Sequence, residues 1–100
     1  MSFTFVNIPE VRVDLLNAVD YYKSIDTKLA EQFLFRVKEA KAYITASPLG
    51  FQVKYNQVRT ILIKQFPYHI HYFIDNHKKQ IVILAIIHAY KNPTDYSNRM

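Results

Sequence analysis

Two stretches in the first half of the chain carry apolar residues at helical spacing. Apolar positions recur every three or four residues from Val11 to Tyr22 and again from Leu29 to Ile44, which predicts two amphipathic helices. Asn7 and Asp26 precede these stretches as candidate N-caps, and Pro48 ends the second one. The short connection between the two stretches predicts a helical hairpin.

The period changes after Gly50, where β-branched and aromatic runs of strand length take over. Together with one run before the first helix, the predicted strands are Phe3–Val6, Val58–Lys64, His69–Asp75 and Gln80–His88. The element order is therefore β-α-α-β-β-β. This order predicts a single α+β domain over residues 1–100, with the helical hairpin packed on a mostly antiparallel sheet.

The last predicted strand is apolar on both of its faces. Strict alternation groups Ile81, Ile83, Ala85 and Ile87 on one face, and Val82, Leu84 and Ile86 with His88 on the other. A strand with two apolar faces is typical of the interior of a sheet that is covered on both sides. We therefore expect this strand to be central.

The excess positive charge lies entirely in the second half of the chain. The formal net charge is +5, and residues 51–100 carry seven Lys or Arg against two Asp or Glu, whereas residues 1–50 balance. All four histidines also lie in the second half. A basic surface interleaved with aromatic residues suits an anionic partner such as nucleic acid, although a solvated face that keeps the protein soluble has the same composition.

Composition excludes several classes of function. The absence of Cys excludes disulfides and thiolate chemistry, a single Gly excludes a Gly-rich phosphate loop, and no Ser or Thr has the sequence context of a nucleophile elbow. The first residues lack a basic segment followed by an apolar one, and the longest apolar run, Ile81–Ile87, is too short to span a membrane. We expect a cytoplasmic protein without cofactor or membrane partner.

Three histidines are the candidates for a metal site. His69 and His71 share one face of a predicted strand, and His88 would have to supply the third ligand of a zinc ion. The only acidic residue near them that could orient a ligand is Asp75. The sequence therefore predicts no metal site.

Cationic and proton-transferring groups collect at strand ends and near the end of the sequence. They are Arg59, Lys64, His88, Tyr90, Lys91 and Arg99. Cleavage of RNA by its own 2'-hydroxyl needs a base, an acid and a cation, and side chains of these types can fill the three roles. A basic rim without catalytic function, with one histidine next to the core at the end of a strand, would give the same sequence pattern.

An ordered set of short motifs resembles the RelE/ParE superfamily of toxins from type II toxin–antitoxin modules, including its plasmid-stabilisation members. The motifs are Ala18-Val19-Asp20-Tyr21-Tyr22, Pro48-Leu49-Gly50, Arg59 opening a strand, Phe66-Pro67-Tyr68-His69-Ile70-His71-Tyr72, and Ile83-Leu84-Ala85-Ile86-Ile87-His88-x-x-Lys91-Asn92-Pro93. The resemblance covers nearly the whole chain. It implies a small basic growth inhibitor that a cognate antitoxin neutralises in a hetero-oligomer.

The resemblance leaves two targets open. RelE-like members are ribosome-dependent mRNA endonucleases, whereas ParE-like members poison DNA gyrase and cleave no RNA. No Glu follows Glu39, few lysines lie on the predicted strands, and the His88-x-x-Lys91-Asn92-Pro93 ending is closer to the ParE-like branch. We therefore favour a gyrase poison, with an mRNA endonuclease and an inactive basic nucleic-acid-binding module as alternatives.

The resemblance, the distribution of cations and the helical pattern together suggest site residues. Arg59, His88 and Lys91 are the catalytic candidates, and Arg59, Lys64, Lys91 and Arg99 are the candidates for binding an anionic target. Phe35 lies on the polar face of the second predicted helix and is the candidate contact for the antitoxin.

Overall fold

The structure, a computed structural model, describes residues 3–89 and 96–100. The elements in chain order are β1 (Thr4–Asn7), α1 (Pro9–Ile25), α2 (Thr27–Ala46), β2 (Val53–Tyr55), β3 (Val58–Leu62), β4 (Tyr68–Asp75), β5 (Gln80–His88) and a 3₁₀ turn (Ser97–Arg99). The predicted α+β class with a helical hairpin on a mostly antiparallel sheet is confirmed.

The two helices meet at Asp26, which serves both of them. Its backbone N–H closes the end of α1 on the Tyr22 carbonyl, and its side chain accepts the Lys28 N–H at 2.9 Å as the N-cap of α2. The predicted cap of the first helix is wrong: Ile8 occupies that position without a side-chain bond, because Asn7 is the last residue of β1. No helix in residues 3–89 and 96–100 is long and apolar enough to cross a membrane.

The five strands form one sheet in the order β1-β5-β4-β3-β2. Only β1 runs parallel to its neighbour, and the other three pairings are antiparallel. The short strand β2 was not predicted. It is joined to β3 by Asn56 and Gln57, which both take positive φ angles in a tight turn, so the hairpin needs no glycine.

The main core lies between the helical hairpin and one side of the sheet, here called the helix-facing side. The helices contribute apolar residues at helical spacing, and the strands contribute alternate residues that point toward them. The fully or nearly buried members include Val11, Ala18, Phe33, Val37, Ile44, Ile61, Ile70, Tyr72, Ile81 and Ile83. A smaller cluster of Val58, Val82 and Leu84 lies on the opposite side, here called the open face.

An irregularity in β5 changes the predicted faces of this strand. Pairing with β4 shifts between His71 and Tyr72, which oppose Ala85 and Ile83, so Leu84 is the extra residue of a bulge. Ile86 therefore joins Ile83 in the helix-facing core, and the predicted grouping of Ile86 with Leu84 is wrong. The interior position of β5, between β1 and β4, is confirmed.

The N-cap of α2 yields a stability prediction. Replacing Asp26 by Ala removes the acceptor for the Lys28 N–H and should destabilise the protein by about 1 kcal/mol. Asp26→Asn keeps an acceptor and is the matched control, expected to retain most of the stability. Urea unfolding at neutral pH measures both variants, and equal stability of Asp26→Ala and the wild type would contradict the role of this cap.

Candidate functional site

The open face of the sheet carries a compact group of rings from three parts of the chain. His69 and His71 alternate along β4 and point to this side, Tyr55 comes from the end of β2, and Tyr96 comes from the segment after β5. His71 lies at the centre and is buried. We refer to these four residues as the ring cluster.

Hydrogen bonds fix the geometry of the ring cluster. The Tyr55 hydroxyl lies 2.9 Å from His71 Nδ1, and the Tyr96 backbone N–H donates to the same hydroxyl oxygen at 3.0 Å. The Tyr96 ring centroid is 5.3 Å from that of His71, and the His69 centroid is 6.1 Å away on the other side. Because the Tyr55 oxygen accepts the Tyr96 N–H, this arrangement favours donation of the phenol proton to His71 Nδ1.

The surroundings of His71 hold its imidazole neutral. Burial lowers the pKa of His71 to about 4, and the positive charges of His69 and Arg99 act in the same direction, against a smaller opposite effect of Asp14. Burial and nearby Lys54 also lower the pKa of His69. At neutral pH His71 is therefore a hydrogen-bonding and proton-accepting group and carries no charge.

A partly buried ion pair caps the edge of β5 next to this cluster. The pairing of β1 with β5 ends at Ile83, so the later backbone groups of β5 on that edge have no strand neighbour. The Asp14 carboxylate on α1 accepts the Ile86 N–H at 3.2 Å, while Arg99 donates to the Leu84 carbonyl at 2.9 Å. Arg99 also donates to Asp14 at 2.8 Å. The backbone groups at the strand edge and the two charged side chains therefore all have hydrogen-bond partners.

Arg59 lies on the helix-facing side of the sheet, at the start of β3. One of its guanidinium nitrogens, Nη1, donates to the carbonyls of Leu49 at 3.2 Å and Phe51 at 2.6 Å. Its cross-strand partner Tyr72 donates its hydroxyl to the Pro48 carbonyl at 2.9 Å. Arg59 and Tyr72 thus hold the segment after α2 in place through hydrogen bonds to its backbone carbonyls.

Lys64 and His88 have aromatic neighbours. The exposed Lys64 ammonium donates to the Tyr43 hydroxyl at 3.2 Å, and this hydrogen bond raises the pKa of Lys64. His88 pairs with Tyr68 across β4 and β5, with ring centroids 5.4 Å apart. Tyr68 packs against the helix-facing core, so the bulge in β5 turns His88 away from the ring cluster.

Phe35 lines an open groove on the outer side of α2, as its predicted exposure suggests. The ring is 60% exposed, and the Arg36 guanidinium lies 5.5 Å from its centroid. Arg36 is itself held by Gln65 at 2.6 Å and by Glu39 at 3.1 Å, which ties the groove to the loop after β3. The groove has a volume of about 480 Å³ and is lined by Lys28, Glu31, Gln32, Phe35, Arg36 and Gln65.

Comparison with known proteins identifies a structural neighbour. No family model and no curated protein matches the sequence. A solved structure described as "Chromosomal ParDE TA system from P. aeruginosa" superposes with a TM-score of 0.74 at 18% identity, covering 87% of this chain and 96% of that chain. The chain has the RelE/ParE-like fold. The fold that the sequence motifs predicted is therefore confirmed.

Within this RelE/ParE-like fold, the predicted site residues are spread over several places. Arg59 lies opposite Tyr72 and His88 lies opposite Tyr68 on β4. Because these two tyrosines are four residues apart on the strand, Arg59 and His88 are separated by about 13 Å along β4. Arg99 lies at the edge of β5, and Lys91 lies outside the described residues. Among the described candidates, Arg99 alone adjoins the ring cluster.

The histidines do not converge on a metal. His69 and His71 occupy the open face, whereas His88 contacts Tyr68 on the helix-facing side. Among residues 3–89 and 96–100, no group of three His, Cys, Asp or Glu side chains could hold a metal ion.

Sequence reasoning did not identify the ring cluster or the ion pair as units. The alternation of His69 and His71 did place both on one face, but Tyr55 lies in an unpredicted strand and reaches His71 only through the turn at Asn56 and Gln57. Asp14 and Arg99 are 85 positions apart, and neither helical nor strand periodicity signals such a contact.

The low pKa of His71 predicts a pH dependence of stability. The folded value of about 4 lies below the ordinary 6.5, so this contribution is complete above pH 6.5 and is lost as the pH falls toward 4. Between pH 7 and pH 4 the wild type should lose about 2 kcal/mol more than His71→Gln, allowing for incomplete burial. Urea unfolding at both pH values measures the difference.

His77→Gln, at an exposed turn position, is the matched control and should follow the wild type. Equal losses for the wild type and His71→Gln would contradict a neutral, buried His71.

Proposed function

We propose that this chain is the toxin of a type II toxin–antitoxin module, a cytoplasmic growth inhibitor that a cognate antitoxin neutralises. The observation that carries the proposal is the fold likeness to a chain of a ParDE toxin–antitoxin system, which extends over 96% of that chain. The ordered motifs and the one-sided positive charge of residues 51–100 support the same assignment.

The groove around Phe35 is the proposed antitoxin contact. The exposed Phe35 ring lies against the Arg36 guanidinium, which is held by hydrogen bonds to Gln65 and Glu39. The groove therefore offers a rigid apolar anchor with a charged rim. Both acidic and basic groups border the ring, so a partner segment can satisfy its own polar groups while it buries the ring. We expect the hairpin surface and part of the sheet to be covered in the complex.

We propose DNA gyrase as the target, as in ParE-like toxins. The two arginines among the candidate residues are engaged within the chain, Arg59 by backbone carbonyls and Arg99 by Asp14. The sheet half of the chain contains no Glu that could act as a base. Both arginines are thus already bound within the chain and are less suited to stabilise a phosphorane, whereas binding of a protein target requires neither of them.

An mRNA endonuclease of the RelE type is the second candidate, and the ring cluster favours it. A neutral imidazole hydrogen-bonded to a phenol is a competent proton-transfer pair, and Lys54 and Arg99 lie near enough to influence the two histidines. In this reading Arg59, His88 and Lys91 remain catalytic candidates, and Arg59, Lys64, Lys91 and Arg99 remain contacts for the anionic substrate.

A basic nucleic-acid-binding module without activity is the remaining alternative. Its affinity for duplex nucleic acid would fall with salt at a slope of about 0.9 per neutralised phosphate. Flat salt dependence would exclude this alternative.

Phe35→Ala tests the antitoxin contact. Truncation of an anchoring aromatic should weaken the complex with the cognate antitoxin about fivefold or more, equivalent to about 1 kcal/mol. Leu49→Ala, on an exposed apolar residue of the loop between α2 and β2, outside the groove, the helices and the strands, is the matched control and should leave the dissociation constant unchanged. Titration calorimetry gives both constants, and an unchanged value for Phe35→Ala would refute the anchor.

Pulse labelling after induction in bacteria separates the two targets. A gyrase poison should trigger DNA-damage signalling while mRNA stays intact, because trapped gyrase breaks DNA. Prompt loss of protein synthesis with cleaved mRNA would refute the gyrase proposal and support the endonuclease. Unaffected growth, with no copurifying partner, would refute the toxin proposal altogether.

A further inference from the structure

We infer that residues 96–100 form a strap across the open face, clasped by the Asp14–Arg99 ion pair, and that release of this clasp uncovers the His71–Tyr55 pair. The inference adds a means of controlling access to the open face. Only the identity of the target that the uncovered face would bind rests on the proposed function.

The clasp joins three elements through a few charged contacts. Arg99 donates to Asp14 Oδ2 at 2.8 Å and to Asp14 Oδ1 at 3.5 Å, and it donates to the Leu84 carbonyl at 2.9 Å. Asp14 in turn accepts the Ile86 N–H. The two side chains are only 21% and 10% exposed, so the bonds are shielded from water and are stronger than those of a surface pair.

A continuous series of contacts runs from the clasp to His71. The Arg99 guanidinium lies 4.9 Å from the centroid of the Tyr96 ring, and this ring packs edge-on against His71 at 5.3 Å. The Tyr96 backbone also donates to the Tyr55 hydroxyl. Since His71 is only 8% exposed, the strap contributes directly to its cover.

The strap can separate from the sheet without unfolding the rest of the protein. It contains a single 3₁₀ turn, closed by the Arg99 N–H on the Tyr96 carbonyl, and a turn this short has little stability of its own. Neither Tyr96 nor Met100 belongs to an apolar cluster, and Met100 is 54% exposed. Polar contacts therefore hold the strap, and local opening requires less free energy than global unfolding.

Opening would change the chemistry of the open face in a concerted way. Separation of Arg99 from Asp14 frees a guanidinium that can bind phosphate in two-pronged fashion. The same motion uncovers His71 next to His69 and Lys54. An anionic partner competes with Asp14 for Arg99, so its binding and the release of the strap favour each other.

Chemical modification of His71 tests the clasp on the isolated full chain. Diethyl pyrocarbonate acylates accessible neutral imidazoles, and fragment-ion mass spectrometry separates modified His71 from modified His69. Arg99→Gln should raise the rate at His71 about tenfold, because loss of a charged hydrogen-bonded pair changes an opening equilibrium by about that factor. Asn98→Ala, an exposed residue of the same turn, is the matched control and should leave the rate unchanged.

Two further measurements separate strap release from other effects. Tyr96→Ala removes the cover while the ion pair can persist, and it should raise the His71 rate as much as Arg99→Gln does. The fully buried Ile83 amide reports global opening, and its protection from exchange should stay well above the protection of His71 relative to a free imidazole, in the wild type and in both variants. If Arg99→Gln does not fold, Arg99→Lys keeps the charge without the forked geometry and should give an intermediate rate at His71.

An unchanged His71 rate in Arg99→Gln, or in Arg99→Lys where that variant is used, would overturn the inference. Equal protection of His71 and the Ile83 amide would also overturn it, because His71 would then be exposed only by global unfolding. The readout does not depend on growth inhibition. A non-toxic protein whose His71 is released as expected would refute the proposed function and leave the strap standing.

Discussion

The structure depends on the burial of β5, a strand that is apolar on both faces and borders β1 for only half its length. The helical hairpin covers one face, while Val58, Phe73 and Tyr55 adjoin the apolar residues on the other. The backbone carbonyl of Leu84 and the N–H of Ile86 still need hydrogen-bond partners, because they lie at the edge of β5 beyond the end of its pairing with β1. Asp14 and Arg99 form hydrogen bonds with these backbone groups. The burial of β5 therefore depends on two charged residues that are distant from each other in the sequence.

The same constraint separates the two candidate functional surfaces. Because the hairpin packs against one face of the sheet, its outer groove around Phe35 and the ring cluster on the open face are on different sides of the molecule. A partner that binds Phe35 therefore leaves the ring cluster accessible unless the partner also wraps the sheet. The strap adds a cover for the open face that belongs to the chain itself.

The sequence was informative where local physics decides the structure. Helical spacing, the Asp26 cap and the two-faced apolar pattern of β5 predicted the hairpin, its join and the interior strand. The bulge at Leu84 was not predictable, because every residue around it is apolar and either register buries it. Arg59 shows the same limit for the site: its charge suggested an anion contact, whereas its bonds to the Leu49 and Phe51 carbonyls arise from tertiary structure.

The most direct test of this account is the hydrogen exchange of the Ile86 amide, which lies beyond the end of the β1–β5 pairing and donates to the Asp14 carboxylate. If the ion pair caps the edge of β5, this amide should exchange as slowly as the amides within the β4–β5 ladder, and Asp14→Ala should accelerate it selectively. Exchange of Ile86 in the wild type as fast as that of the exposed turn at residues 76–79 would contradict the account.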